Sequence, residues 1–180
     1  ENGLKGLTHF NVLKGMPQAA QILADAVVQN KRIIIVGDFD ADGATSTSVC
    51  ILALRAMGYH NVDFLVPNRF DFGYGLSVPI VDEAAKQGAE VIVTVDNGIS
   101  CIDGVTHAKS LGMQVVVTDH HLPGDVLPPA DAIVNPNQPG CEFPSKNLAG
   151  VGVAFYIMLA LKAELQQQGH FEKAGVAPPN

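Results

Sequence analysis

The sequence predicts an α/β fold: a mainly parallel sheet of about five strands with helices on both faces. Two observations carry this. Short runs rich in β-branched residues, such as 32–36 (RIIIV), 90–95 (EVIVTV) and 114–118 (QVVVT), are apolar without alternation, as in strands buried on both faces. Between them lie segments with helical apolar spacing, and strands alternating with helices at this interval build parallel sheets.

The elements follow in order. Residues 17–30 place Ala20, Ile22, Leu23, Ala26 and Val27 on one helical face. The first strand, 32–36, runs into Gly37-Asp38-Phe39-Asp40-Ala41-Asp42-Gly43, with a helix expected over 44–57. A short strand at 62–66 precedes a loop, 67–75, rich in Pro, Asn and Gly. Ser77 reads as a helix N-cap with Pro79 in the first turn. The strand at 90–95 ends at Asp96-Asn97-Gly98, a helix follows near 102–111, and the strand at 114–118 ends at Asp119-His120-His121. A fifth strand is expected at 131–134 and a long helix over 148–168.

With 180 residues, 47% apolar and 16% charged, the chain can bury a sizeable core. No apolar run is long enough to cross a bilayer, and 151–161 reads as a core helix. The first residues, where Lys5 and Lys14 alternate with glycines and short apolar pairs, do not read as a signal peptide. Cys50, Cys101 and Cys141 are odd in number and without CxxC spacing, as expected of reduced thiols in a cytoplasmic protein. A net charge of −7 argues against nucleic-acid binding at first reading. Divalent cations bound among the motif aspartates would reverse the local field, and the scattered basic residues place much of any phosphate-binding surface elsewhere.

Three strands therefore run into acidic or histidine motifs at their carboxyl ends, where open parallel sheets bind ligands. Asp38, Asp40 and Asp42, spaced two apart in an extended loop, would point the same way, and a cation is the natural reason to cluster them. The other reading is that Asp42 caps the following helix while Asp38 and Asp40 are solvated. Gly43 would permit the tight turn into that helix. Asp96 adds a carboxylate, although Asp-Asn-Gly is also an ordinary turn. Asp119, His120 and His121 offer an imidazole ligand, a second polar group aimed elsewhere and a supporting carboxylate. Carboxylate and imidazole donors without cysteine suit Mn²⁺ or Mg²⁺, and their number suits two ions. Two such ions favour in-line phosphoryl displacement, so phosphate-ester hydrolysis is the expected reaction class. There is no P-loop, and Gly73-Tyr74-Gly75 lacks the Rossmann setting. Gly150 and Gly152, near the start of the last helix, offer amides to a phosphate or else permit close backbone packing. Arg69 is a candidate phosphate contact or a solvated loop arginine.

Together these motifs resemble the DHH phosphoesterase superfamily, named for the sequence seen here as Asp119-His120-His121. Val36 to Gly43 is similar to the first family motif and Val95 to Gly98 to the second. Within the superfamily the similarity is strongest to the RecJ-type family, through Val66-Pro67-Asn68-Arg69-Phe70, Gly73 to Ser77, Thr118 to Gly124 and Leu148 to Phe155. The resemblance implies a bacterial, cytoplasmic, single-stranded-DNA-specific 5′-to-3′ exonuclease of recombination and repair, with single-strand-binding protein and a RecQ-type helicase as partners. A DHH phosphoesterase of short oligoribonucleotides or cyclic dinucleotides, or a non-catalytic DHH scaffold, are the alternatives. The resemblance further implies that Asp38 and Asp40 help hold one metal and that Asp96 bridges two. Asp42 and His120 would hold the second, and His121 would contact the scissile phosphate with Asp119 in support. The family's fourth motif, its DHHA1 domain and an OB-fold are not found in residues 1–180, so a partial DHH domain with weak Mn²⁺ binding and little activity by itself is expected.

Overall fold

The computed structural model describes residues 13–38, 40–67, 75–138, 150–175 and 178. Five strands, β1 (Ile33–Val36), β2 (Val62–Leu65), β3 (Val91–Val95), β4 (Gln114–Thr118) and β5 (Ala132–Val134), form one sheet in the order β2-β1-β3-β4-β5. Every pairing is parallel. The expected sheet is thus present, wholly parallel.

All residues of β1 and β3 are buried, which explains their unbroken apolar runs: successive side chains alternate between two covered faces. Ile33, Ile35, Val91, Val93 and Val116 point into one core, against α1 (Met16–Val28), α2 (Ala41–Ala56) and α5 (Gly150–Gln167). Ile34, Val36, Ile92, Val115 and Val117 point into the other, against α3 (Val78–Lys86) and α4 (Ile102–Ser110). Each such buried side chain contributes about 1.5–3 kcal/mol of transfer free energy, so the sheet is a stiff base for what lies at its edge.

Local signals set the helix starts. Ser77 caps α3 as expected, accepting from the Ile80 amide, with Pro79 in the first turn. Two boundaries differ from expectation. Helix α2 begins at Ala41 rather than residue 44, because Asp40, not Asp42, is its N-cap: Asp40 Oδ1 accepts from the Gly43 amide at 2.7 Å. A further short helix, α6 (His170–Ala174), follows α5 after a left-handed Gly169. Among the described residues no helix is long and apolar enough to cross a membrane.

The strand order decides where the site lies. From β1 the chain moves outward to β2, then returns across β1 to β3, so β1 and β3 flank a topological switch point. Crevices open at such points beyond the strand carboxyl ends. Asp38 and Asp40 follow β1 and Asp96 follows β3, one on each side of it.

Candidate metal centre

The turn after β3 is built to turn Asp96 inward. Asp96 has φ 61°, a left-handed conformation that Asp and Asn tolerate better than most residues. Asn97 Nδ2 donates to the carbonyl oxygens of Val36 and Val95, both at 2.9 Å, tying the ends of β1 and β3 together. Thr94 Oγ1 donates to Asn97 O at 2.8 Å, and Thr118 Oγ1 donates to Thr94 O at 2.7 Å. Gly98 has φ 109°, and a side chain there would press on the Thr94 hydroxyl. Asp-Asn-Gly is thus a turn, and the turn presents the carboxylate.

Four residues converge at this edge. Asp96, Asp119, His120 and His121 each place one donor atom within 4.8 Å of the others. His120 Nε2 lies 2.7 Å from Asp96 Oδ1, yet that buried oxygen has no aligned hydrogen-bond partner. The pair sits among four convergent carboxylate and imidazole donors, a set that suits a shared cation. Burial raises the Asp96 carboxyl to about 6, the Asp40 charge adds to the rise, and the two imidazoles offset part of it. A cation would remove that penalty.

Asp119 has a different task. Its Oδ2 accepts from the Ile99 amide at 3.1 Å. Its Oδ1 accepts from the amides of His120 at 2.8 Å and His121 at 3.3 Å and from His121 Nδ1 at 2.6 Å. An acceptor already serving two amides makes Nδ1 the donor and leaves Nε2 of His121 free for a ligand. Burial opposes charge on this ring, but the charge and hydrogen bond of Asp119, with the charges of Asp96 and Asp40, outweigh it and raise the pKa. The His121 side chain is 46% exposed and, with Asp119, borders a cavity of about 490 Å³ also lined by Leu76, Ser77, Ile99 and Cys101.

A mononuclear or binuclear cation centre of this make-up is one that phosphoesterases share. The family model described as "DHH family, N-terminal domain" matches residues 32–176. The chain belongs to the DHH family. Single-stranded-DNA-specific exonucleases RecJ of Salmonella typhimurium and of Escherichia coli are each 58% identical over all 180 residues, which span 31% of either relative. A solved structure of exonuclease RecJ bound to manganese matches with a TM-score of 0.75 and 35% identity, over 93% of this chain and 40% of that one.

The structure brings together only part of the residues expected to form the DHH site. Asp96, Asp119, His120 and His121 converge. Asp40 acts on that group through its charge while capping α2. Asp38 is buried at the end of β1, and the extended path stops at Asp40 (φ −73°, ψ 174°). Asp42, in the helical first turn, is exposed and outside the four-residue group, so the three aspartates do not all project from one extended loop. Gly43 serves close approach rather than a turn, since a Cβ there would sit 2.3 Å from Asp38 O. Gly150 and Gly152 lie in the first turn of α5. Arg69 and Cys141 fall outside the described residues, and Cys50 and Cys101 are free thiols.

Sequence reasoning read Asn97 only as part of a turn and a motif, and overlooked two further asparagines. Besides Asn97, Asn135 Nδ2 donates to His121 O at 2.9 Å and Asn137 Nδ2 donates to His120 O at 2.6 Å. The signal was available, because Asn135-Pro136-Asn137 directly follows a strand at the same carboxyl edge as the other motifs.

Proposed function

We propose that this chain is the metal-binding amino-terminal part of a RecJ-type, single-stranded-DNA-specific 5′-to-3′ exonuclease of DNA recombination and repair. The observation that carries the metal chemistry is the convergence of Asp96, Asp119, His120 and His121, whose donor atoms lie within 4.8 Å of one another, with buried Asp96 Oδ1 2.7 Å from His120 Nε2. The substrate class rests on the 58% identity to RecJ, of which the chain spans about a third.

Asp96 and His120 would hold one Mn²⁺ or Mg²⁺, and Asp38 and Asp40, which follow β1 at the same sheet edge, are the candidates for a second ion. Such ions, when bound, supply Lewis acidity to the phosphodiester and its attacking water. His121 presents Nε2 to the scissile phosphate. Asp119, by holding Nδ1, keeps that ring protonated to higher pH, so Nε2–H donates to a phosphate oxygen or to the departing one. Arg69 and the amides at Gly150 and Gly152 bind neighbouring phosphates. The remainder of the protein, with a DHHA1 domain and an OB-fold, supplies most of the DNA-binding surface. The protein acts in the cytoplasm with single-strand-binding protein and a RecQ-type helicase.

The test is hydrolysis by the full-length protein with Mn²⁺, comparing 5′-phosphorylated single-stranded DNA with dinucleotides. Faster turnover of the DNA from its 5′ end is expected. Preference for the dinucleotides, or unchanged DNA digestion after Asp96→Asn, would overturn the reading. Residues 1–180 alone are expected to bind Mn²⁺ weakly and digest little.

A further inference from the structure

We propose that Asn135 and Asn137 are positioning residues for the two histidines, setting where His120 and His121 present their rings; this rests on the metal reading of the site given above. The β4–β5 ladder ends at the Thr118–Val134 pair, with one more bond from the Asp119 amide to Val134 O at 3.1 Å. Beyond it the two chains are joined by side chains. Asn137 Nδ2 donates to His120 O at 2.6 Å and Asn135 Nδ2 to His121 O at 2.9 Å. The two asparagines are themselves coupled, because Asn135 Oδ1 accepts from the Asn137 amide at 2.8 Å. Asn135 is fully buried, so its amide groups have no water to fall back on.

Every backbone polar group of the His-His pair is therefore held by a side chain. Asp119 Oδ1 takes both amide protons from one side, and the asparagines take both carbonyl oxygens from the other. No helix or strand fixes residues 119–121, so these bonds replace the ladder that would otherwise set the peptide planes. The plane of a peptide sets the direction of its Cα–Cβ bonds, and a small rotation at His120 displaces its distal Nε2 further than its backbone. Asn137 thus controls the 2.7 Å approach of His120 Nε2 to Asp96 Oδ1. Asn135 anchors Asn137 and, through His121 O, the ring that faces the cavity. Partners that orient a ligand in this way typically govern metal affinity by ten- to a hundredfold.

The experiment is Mn²⁺ titration calorimetry on the full-length protein and two variants, beside melting temperatures in chelator and a crystal structure of each metal-free variant. Half-buried Asn137 is the position to change, since its loss leaves the core intact. Asn137→Ala removes the donor. Asn137→Asp keeps the shape but sets an acceptor against His120 O. Both are expected to weaken Mn²⁺ binding about tenfold or more. Metal-free melting should change little, and the His120–Asp96 approach should open. A merely structural role predicts the reverse: lower melting temperatures with unchanged affinity. Mn²⁺ affinity within twofold of wild type in both variants overturns the proposal. Wild-type protein that takes up no Mn²⁺ overturns the metal reading instead, and the clamp is then judged by the crystal structures, where an unmoved His120 ring refutes it.

Discussion

Replacing Asp96 with Asn should make the metal-free protein more stable while abolishing its use for the ion. Asp96 is 1% exposed, and its carboxyl is raised from 3.8 to about 6 by burial and by the charge of Asp40. In the folded state the proton is therefore held more tightly than in the unfolded chain. Stability from this group is fully present below about pH 4, falls as pH rises toward 6, and stays low above it. At 1.36 kcal/mol per pH unit, the neutral-pH penalty is on the order of 3 kcal/mol. Asn removes the charge at nearly constant shape and accepts the left-handed φ of 61° at this position. Urea denaturation in chelator should show the variant gaining nothing at pH 4 and about 3 kcal/mol at pH 8. That gain corresponds to roughly 6–12 °C in melting temperature for a chain of this size. Mn²⁺ at about a thousand times its Kd should then reverse the ranking, because it adds about 4.1 kcal/mol to the wild type alone. Asp96→Ala relieves the same charge but pays about 1–2 kcal/mol for the left-handed backbone, and should gain less. An Asn variant no more stable than wild type at pH 8 in chelator would show that burial does not destabilise the Asp96 carboxylate.

Other perturbations test neighbouring parts of the site. Mn²⁺ affinity should fall as pH drops through 6, up to about tenfold per pH unit, because the proton on Asp96 competes with the ion; titration between pH 5 and 8 measures it. Asp119→Asn should lower the His121 pKa, moving its ring titration in NMR and the His121-dependent limb of any activity profile to more acidic pH. Gly43→Ala would drive a Cβ to 2.3 Å from Asp38 O and 2.7 Å from Asp38 N, so the β1–α2 connection must open. A loss of about 3 kcal/mol in denaturation is expected, with weaker Mn²⁺ binding.

The strand ends were legible because buried parallel strands need continuous β-branched runs, and such runs stand out against helical spacing. Asp96, Asp119, His120 and His121 were legible for a related reason: each stands directly after a run, so its place at the sheet edge follows from strand order in the chain. Asp42 was harder. Two-residue spacing suggests one face only if the backbone stays extended, and the Asp40 cap ends the extension at once. Whether a carboxylate caps a helix or faces a cation depends on where the helix starts, which propensities locate only to within a turn.

Spacing along the chain thus set the class of fold, the sheet edge at which the acidic and histidine motifs stand and the donor types found there. Which donors meet depended on the packing of distant segments. Strand order β2-β1-β3-β4-β5 brings the end of β3 beside both β1 and β4, so Asp96 faces His120 across residues distant in the chain. The same long-range packing turned two ordinary-looking asparagines after β5 into partners of the histidines. Local periodicity sets what a segment becomes, but hydrogen bonds between segments 14 or 17 residues apart, as here, are fixed by the sheet that closes them together.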